Sequence, residues 1–553
     1  MSSAGAPPSS ASSTGSNDKI DPVLRNALRY TVSAKEYKLL HRYLISRAPP
    51  AVKKRTPQPP RYEAIVKSKD DYNAAAIRAS FRVFASTYAA LKLWDLIQEK
   101  LLTRGAVKVP QSKTPIYKSA NFRLSSSLSF ILLFHRLFFR FLTRLRATLL
   151  TQNAVPFRRR NPRVAAALTS PLSPAVGAAL AGSFLGVVPK SQLRITIAIY
   201  TFSRALEFAY NALEEKGWFK NRPWWFGSWM LMPVSCGQLL HAFVYDRDCF
   251  PSTYGNFILK NSPEYIQQRP ADYPSHLKWP GTYEICDSLA EISKLRWPAF
   301  TSPILFPALK QTLPTSLTRI TPITSPAHPS ITSLSCALLH PHDPSCARVY
   351  LTYYAHAFPS LARFFALIYS AFAILRWRSF AKAPVTALNK LAKQILSMTM
   401  FISGAIGTSW GALCLFQQLF SGRFLPTQRF FFAGFLGGMW GFLERKKGRS
   451  NFLYSWRMSL DSLWKVGVKR GWWKGVANGD VLLFVASLAV VGGVYEGVPR
   501  AVSSGVARKG LGLMRGEGWV DRVAGGGDGQ GVEALGEREK KATGADVDEK
   551  KMD

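Results

Sequence analysis

Acidic residues are scarce in this 553-residue chain: 33 Asp and Glu face 72 Lys and Arg, a formal excess of +39. A surplus of that size implies a polyanion nearby, either nucleic acid or an anionic membrane face. The basic residues do not line a soluble helix or alternate with aromatics as a nucleic-acid reader requires, so no nucleic-acid partner is expected. Cysteine is also rare. Six of them at irregular spacing exclude a disulfide framework and point to a reducing compartment. The opening "MSSAGAPPSSASSTGSND" lacks the basic and apolar stretches of a secretory signal, so membrane insertion is expected to rely on internal segments. Neither an H-E-x-x-H pair nor a phosphate-cradling glycine loop occurs. The chain is therefore not expected to be an enzyme, and no cofactor is expected.

What is abundant is apolar: 47% of residues are hydrophobic and 13% aromatic. Basic clusters flank the apolar runs, as "RRRNPR" (158–163) and "ERKKGR" (444–449) show, which is the charge pattern of multi-pass membrane proteins. The expected fold is all-α, a multi-pass transmembrane helical bundle with two internally repeated three-helix modules. Residues 1–70 read as a polar, partly disordered region and 71–260 as a first membrane module with a cap. Residues 261–345 read as a Pro/Ser-rich linker, 346–500 as a second membrane module and 501–553 as a disordered tail. Within the first module, "SLSFILLFHRLFFRFLTRLRATLL" sets His135, Arg136, Arg140 and Arg144 on one stripe. That stripe reads as an interfacial helix or as a solvated basic face.

Two trios of apolar segments carry the modules: 174–188, 193–213 and 226–245, then 430–443, 451–468 and 480–494. A span needs roughly 20 apolar residues, so the first of these is short and the next two adequate. Two further apolar runs, 349–375 and 391–420, precede the second trio. Sliding one trio on the other by 254 positions sets Tyr200 on Tyr454, Leu206 on Leu460, Glu207 on Asp461, Gly217 on Gly471, Trp218 on Trp472 and Lys220 on Lys474. With a two-residue gap, "AGSFLG" (181–186) meets "AGFLGG" (433–438). Each holds a small-xxx-small spacing, Gly182 with Gly186 and Gly434 with Gly438, which lets another helix backbone approach closely.

In each copy the aromatic and the carboxylate are two helical turns apart and share a face. Arg204 precedes Glu207 by three positions and Arg457 precedes Asp461 by four, spacings at which helical side chains meet. Neutralisation by the neighbouring arginine is expected to make each buried carboxylate tolerable, either as a structural pair or as part of a polar lining.

The segments "IYTFSRALEFAYNALEEKGW" (199–218), "LYSWRMSLDSLWKVGVKRGW" (453–472) and "NGDVLLF" (478–484) resemble the repeated segments of the transmembrane protein 135 family. "CALLHPHDPSCARVYLTYYAHAFPSLARFFALIYSAFAIL" (336–375) is similar to that family's Cys/His-bearing leader, and "VYDRDCFPSTYGNFI" (244–258) to the cap after its last span. The resemblance covers about half the chain, although the leader here follows a full module instead of opening the chain. It implies a peroxisomal or mitochondrial membrane location and a scaffold or carrier role in lipid homeostasis and organelle dynamics. A distant likeness to mitochondrial preprotein translocase subunits implies, as an alternative, a translocase-like channel component. Expected partners are anionic lipid head groups, copies of the chain and other membrane proteins.

Two constellations carry chemistry. Cys336, His340, His342 and Cys346 fall within eleven residues, and four such ligands could close a tetrahedral zinc site. The spacing C-x3-H-x-H-x3-C matches no common finger, so ordinary loop residues are the expected reading, with a metal site and a disulfide as the alternatives. His241 and Asp246 form the H-x4-D pair of glycerolipid acyltransferases, a second alternative, without the Phe-Pro-Glu-Gly element of those enzymes.

Overall fold

The computed structural model describes residues 22–67, 71–102, 115–307, 314–374 and 377–523. Among these residues every regular element is helical, and one isolated bridge between Ala299 and Ser333 is the sole β pairing. The chain divides into two compact units, Met1–Trp218 with Asn478–Asp553, and Phe219–Ala477. These boundaries cut across both expected modules.

The first unit starts with four short helices, Pro22–Thr31, Ala34–Tyr43, Pro50–Arg55 and Pro59–Val66. They close a small core of Tyr37, Ile45, Tyr62 and Val66, with the Tyr37 and Tyr62 rings stacked 3.8 Å apart. The region read as partly disordered is thus folded from Pro22, and its first 21 residues lie outside the described ones. Two long helices follow, α1 (Tyr72–Leu102) and α2 (Ala120–Leu150), the second N-capped by Ser119, whose hydroxyl accepts the Phe122 N–H.

The basic stripe of α2 is neither an interfacial face nor a solvated one along its whole length. His135 and Arg136 are buried, and Arg136 donates twice to the Leu513 carbonyl and once to that of Ala75. His135 Nδ1–H donates to the Met514 carbonyl at 3.1 Å. Burial is the main reason the His135 pKa falls to about 4. The Leu513 and Met514 carbonyls end a helix, Gly505–Arg515, so the two basic side chains cap its C-terminus. The tail read as disordered from residue 501 therefore folds through residue 523, and the remainder lies outside the described residues.

The trio segments give α3 (Ser173–Ala178, running on as tighter 3-10 turns over Ala179–Val187), α4 (Gln192–Glu215) and, across the chain, α12 (Gly479–Gly497). In the first unit α12 packs on both α3 and α4. The second unit holds α5 (Leu231–Tyr245), α10 (Arg429–Gly438, running on as 3-10 turns over Met439–Glu444) and α11 (Arg449–Lys469), with α5 packed on α10 and α11. Each unit thus combines the first two segments of one trio with the third segment of the other.

Both second segments close alike. Gly217 and Gly471 take positive φ, 83° and 72°, where a side chain would be strained. The Trp218 N–H then reaches back to the Leu213 carbonyl, and Trp472 N–H to that of Gly467. These bonds and the glycines are related by the same offset of 254 as the aligned residues.

The stretch read as a linker, 261–345, instead supplies much of the largest core. In α6 (Thr282–Lys294), Ile285, Leu289 and Ile292 fall one, two and three turns along one face and are fully buried with Cys286. Leu317, Ile320, Leu334 and Leu338 join them. Proline misleads here because at Pro314 and Pro322 it sits before or within the first turn of a helix, where its missing N–H costs nothing. The unit is completed by α7 (Leu334–Leu339) and two long apolar helices, α8 (Cys346–Ile374) and α9 (Pro384–Leu419), packed together.

Three described helices, α8, α9 and α12, are long and apolar enough to cross a membrane, and a fourth crossing follows if Pro162–Thr169 and Ser173–Val187, bent by 85°, form one broken span. The chain has the character of a membrane-embedded helical protein. The other expected spans lack that length or composition. At 15 residues α5 reaches about 22 Å, short of a hydrocarbon core of ~30 Å, while α4 and α11 carry several charges.

Candidate functional site

The charged helices place their predicted residues in similar local arrangements. In α4 the Arg204 guanidinium lies 5.4 Å from the Tyr200 ring centre, and in α11 Arg457 lies 5.9 Å from that of Tyr454. Glu207 is buried; it accepts Arg204 Nη1–H at 2.6 Å, and its second oxygen accepts the Ser503 hydroxyl at 3.3 Å. Asp461 pairs with Lys465, one turn further on, at 2.8 Å. Lys465 is a partner that the alignment did not single out, although its i+4 spacing is plain in the sequence. Both carboxylates are engaged by a cation on their own helix.

A stronger ion pair escaped the sequence reading. Arg194, near the start of α4, forks onto both oxygens of Asp480, at the start of α12, at 2.5 and 3.0 Å. The same guanidinium donates to the Val188 carbonyl and to Asn478. Asp480 belongs to the "NGDVLLF" stretch, and its signal is an acid in the first turn of a helix that then runs uncharged as far as Tyr495.

The predicted glycines all lie at helix contacts. An added Cβ at Gly434 would lie 2.9 Å from Leu240 Cβ of α5, and at Gly438 2.5 Å from Pro233 Cα. At Gly182 it would meet α12 side chains at 3.0–3.1 Å, and at Gly186 it would reach Val481 only at 4.0 Å.

The H-x4-D pair is not assembled as a catalytic dyad. Asp246 is buried against Arg470 at 2.6 Å and Lys469 at 3.4 Å, while His241 packs its ring on Tyr245, with no hydrogen bond between the two among the described residues. Gly407-Thr408-Ser409-Trp410-Gly411 does spell the G-x-S-x-G of a nucleophile elbow. It lies inside α9, however, where the Ser409 hydroxyl donates to the Ala405 carbonyl, and an elbow needs a sharp strand-to-helix turn.

Among the described residues, the Cys/His loop is the most concentrated group of ligating atoms. Cys336 and His340 stand one turn apart at the end of α7, and the His340 N–H closes onto the Cys336 carbonyl. The Asp343 carboxylate accepts the Ser345 N–H at 2.8 Å, and Ser345 in turn caps α8 through the Arg348 N–H, setting Cys346 at the first helical position. The fourth member is not His342, which is exposed and stands apart from the group, but Cys414 of α9. Close packing of α8 on α9 brings it there: the Tyr353 and Tyr350 rings lie where a side chain on Gly407 or Gly411 would be. Gly407, Gly411, Cys414 and Gln418 form one helical stripe, and Gln418 Nε2 reaches Cys346 Sγ at 3.7 Å.

Cys336, His340, Cys346 and Cys414 present ligand atoms that all lie within 4.8 Å of one another, and they could hold a metal ion. The Cys336 and Cys346 sulfurs are 3.9 Å apart, and His340 Nε2 is 3.5 Å from the sulfurs of both Cys346 and Cys414. His340 Nδ1–H donates to the Asp343 carbonyl at 2.7 Å, which leaves Nε2 facing the sulfurs. Burial works to lower the His340 pKa, but hydrogen bonding to Cys336 and Cys346 outweighs it and raises the value to about 10. No protein-family model matches this chain, and no solved structure matches it.

Proposed function

We propose that the protein is a multi-pass scaffold of an intracellular organelle membrane, peroxisomal or mitochondrial, with a role in lipid homeostasis and organelle dynamics. The observation that carries the membrane part is the surface of α8, a 29-residue helix with only 11% of its most apolar stretch buried. Leu367 and Ile374 are 74% and 72% exposed, and such a surface needs hydrocarbon around it. On this reading the two trios are copies of one ancestral unit, a view supported by the matching glycine closures of α4 and α11. The organelle and the role rest on the resemblance to the transmembrane protein 135 family.

Scaffold is preferred to carrier because the acidic groups that would line a path are already paired, Glu207 with Arg204 and Asp461 with Lys465. The apolar cavity between α5 and α9, about 70 Å³, is also small beside the ~300–1,000 Å³ of ordinary ligand sites. Two experiments test the proposal. Reconstituted protein should move labelled lipid no faster than empty vesicles do; movement that is lost in Glu207→Gln with Asp461→Asn would establish a carrier instead. A tagged chain should coincide with peroxisomal or mitochondrial markers, and residence elsewhere would refute the assignment.

A further inference from the structure

We propose that Cys336, His340, Cys346 and Cys414 bind one zinc ion in a closed structural site that fastens the α7–α8 turn to α9. This goes beyond the scaffold reading and does not depend on it.

The geometry carries the proposal. Tetrahedral zinc, with Zn–S near 2.3 Å and Zn–N near 2.0 Å, sets its ligands about 3.8 Å apart for two sulfurs and about 3.5 Å for sulfur and nitrogen. The observed separations are 3.9 Å for Cys336 to Cys346 and 3.5 Å for His340 to each of Cys346 and Cys414. Three of the six cysteines in the chain thus converge on one imidazole, although 68 positions separate Cys346 from Cys414.

The imidazole is oriented as a ligand. Its Nδ1–H is held by the Asp343 carbonyl, and that outer bond fixes which nitrogen faces the metal, as it does for most metal-bound histidines. Gln418 adds a donor to the Cys346 sulfur, which offsets part of the charge of three thiolates. A disulfide accounts for the group less well, because bonded sulfurs stand at about 2.05 Å and a single bridge would leave one buried thiol and the histidine over.

Ligand identity selects the metal and the role. Three thiolates and one imidazole suit zinc, and four protein ligands leave no open position for a reacting water, so the site is structural. Cys336, His340 and Cys414 are buried and Cys346 half-buried, which makes Cys346 the side from which the ion is reached.

The test is metal analysis of the full-length protein, purified in detergent without added metal or chelator. About one zinc per chain is expected, falling to background in Cys414→Ser and in Cys346→Ser and unchanged in His342→Ala. Should a serine variant fail to fold, cobalt substituted into the wild-type chain must give the intense sulfur-to-metal band and the tetrahedral d–d bands of a thiolate site. Substoichiometric zinc, iron in its place, zinc retained by a folded Cys414→Ser variant, a cobalt spectrum without the sulfur band, or a Cys336–Cys346 disulfide in peptide mapping would each overturn the proposal.

Discussion

The two compact units use related segments and seat their third helix by different means. In the second unit, α5 lies almost backbone to backbone on α10, with Gly434 and Gly438 leaving no room for a side chain, and Gln238 bridges to the Ser459 and Ser462 hydroxyls of α11. In the first unit, α12 meets α3 through side chains at Gly182 and comes near its backbone at Gly492, where an added Cβ would lie 3.2 Å from the Ala175 carbonyl oxygen, and a buried arginine–carboxylate fork between Arg194 and Asp480 adds the fastening to α4. Steric closeness and polar pairing are thus alternative ways of holding a helix where apolar burial alone does not discriminate between neighbours.

The comparison is broken most severely by Asp480→Asn. Arg194 would be left buried with a neutral partner, a loss of about 3–5 kcal/mol that should appear as a lower midpoint of unfolding in mixed micelles. Arg194→Met with Asp480→Leu should recover most of that loss, because the cost arises from the stranded charge. Next in size is Gly438→Ala. The new Cβ would lie 2.5 Å from Pro233 Cα, a backbone atom that cannot turn aside, and the expected cost by the same measurement is about 1–3 kcal/mol. Gly182→Ala should cost less than about 1 kcal/mol, because the atoms it would meet, at 3.0–3.1 Å, belong to the side chains of Leu488, Phe484 and Val485 and need give way by only a few tenths of an ångström. Gly186→Ala, with nothing closer than 4.0 Å, should be neutral or stabilise by a few tenths of a kcal/mol through lower backbone entropy in the unfolded chain. Equal costs at Gly186 and Gly438 would erase the distinction between the units.

Much of the helical content was legible, because apolar runs and periodic spacing are local properties. Partner choice was not. Nothing in the segments 226–245 and 480–494 says that each packs with the trio other than its own; that depends on which glycine faces and which charges meet in three dimensions. Arg194 and Asp480 are 286 positions apart and could be joined only by the fold.

The Pro/Ser-rich stretch failed for a different reason. Its prolines suggested a linker, while Ile285, Leu289 and Ile292 already marked a one-sided helix between them. The Cys/His cluster was half legible. Cys336, His340 and Cys346 are neighbours in sequence, but His342 stood in for Cys414, whose only sequence mark is its place on the Gly407–Gly411 stripe of α9.

The central claim is that this chain is embedded in hydrocarbon, with α8, α9 and α12 as its minimum set of spans. Alkaline carbonate extraction of membranes holding the full-length protein tests it most directly. The account predicts that the chain stays with the membrane pellet at high pH, as an integral protein does. Intact release into the supernatant would contradict it.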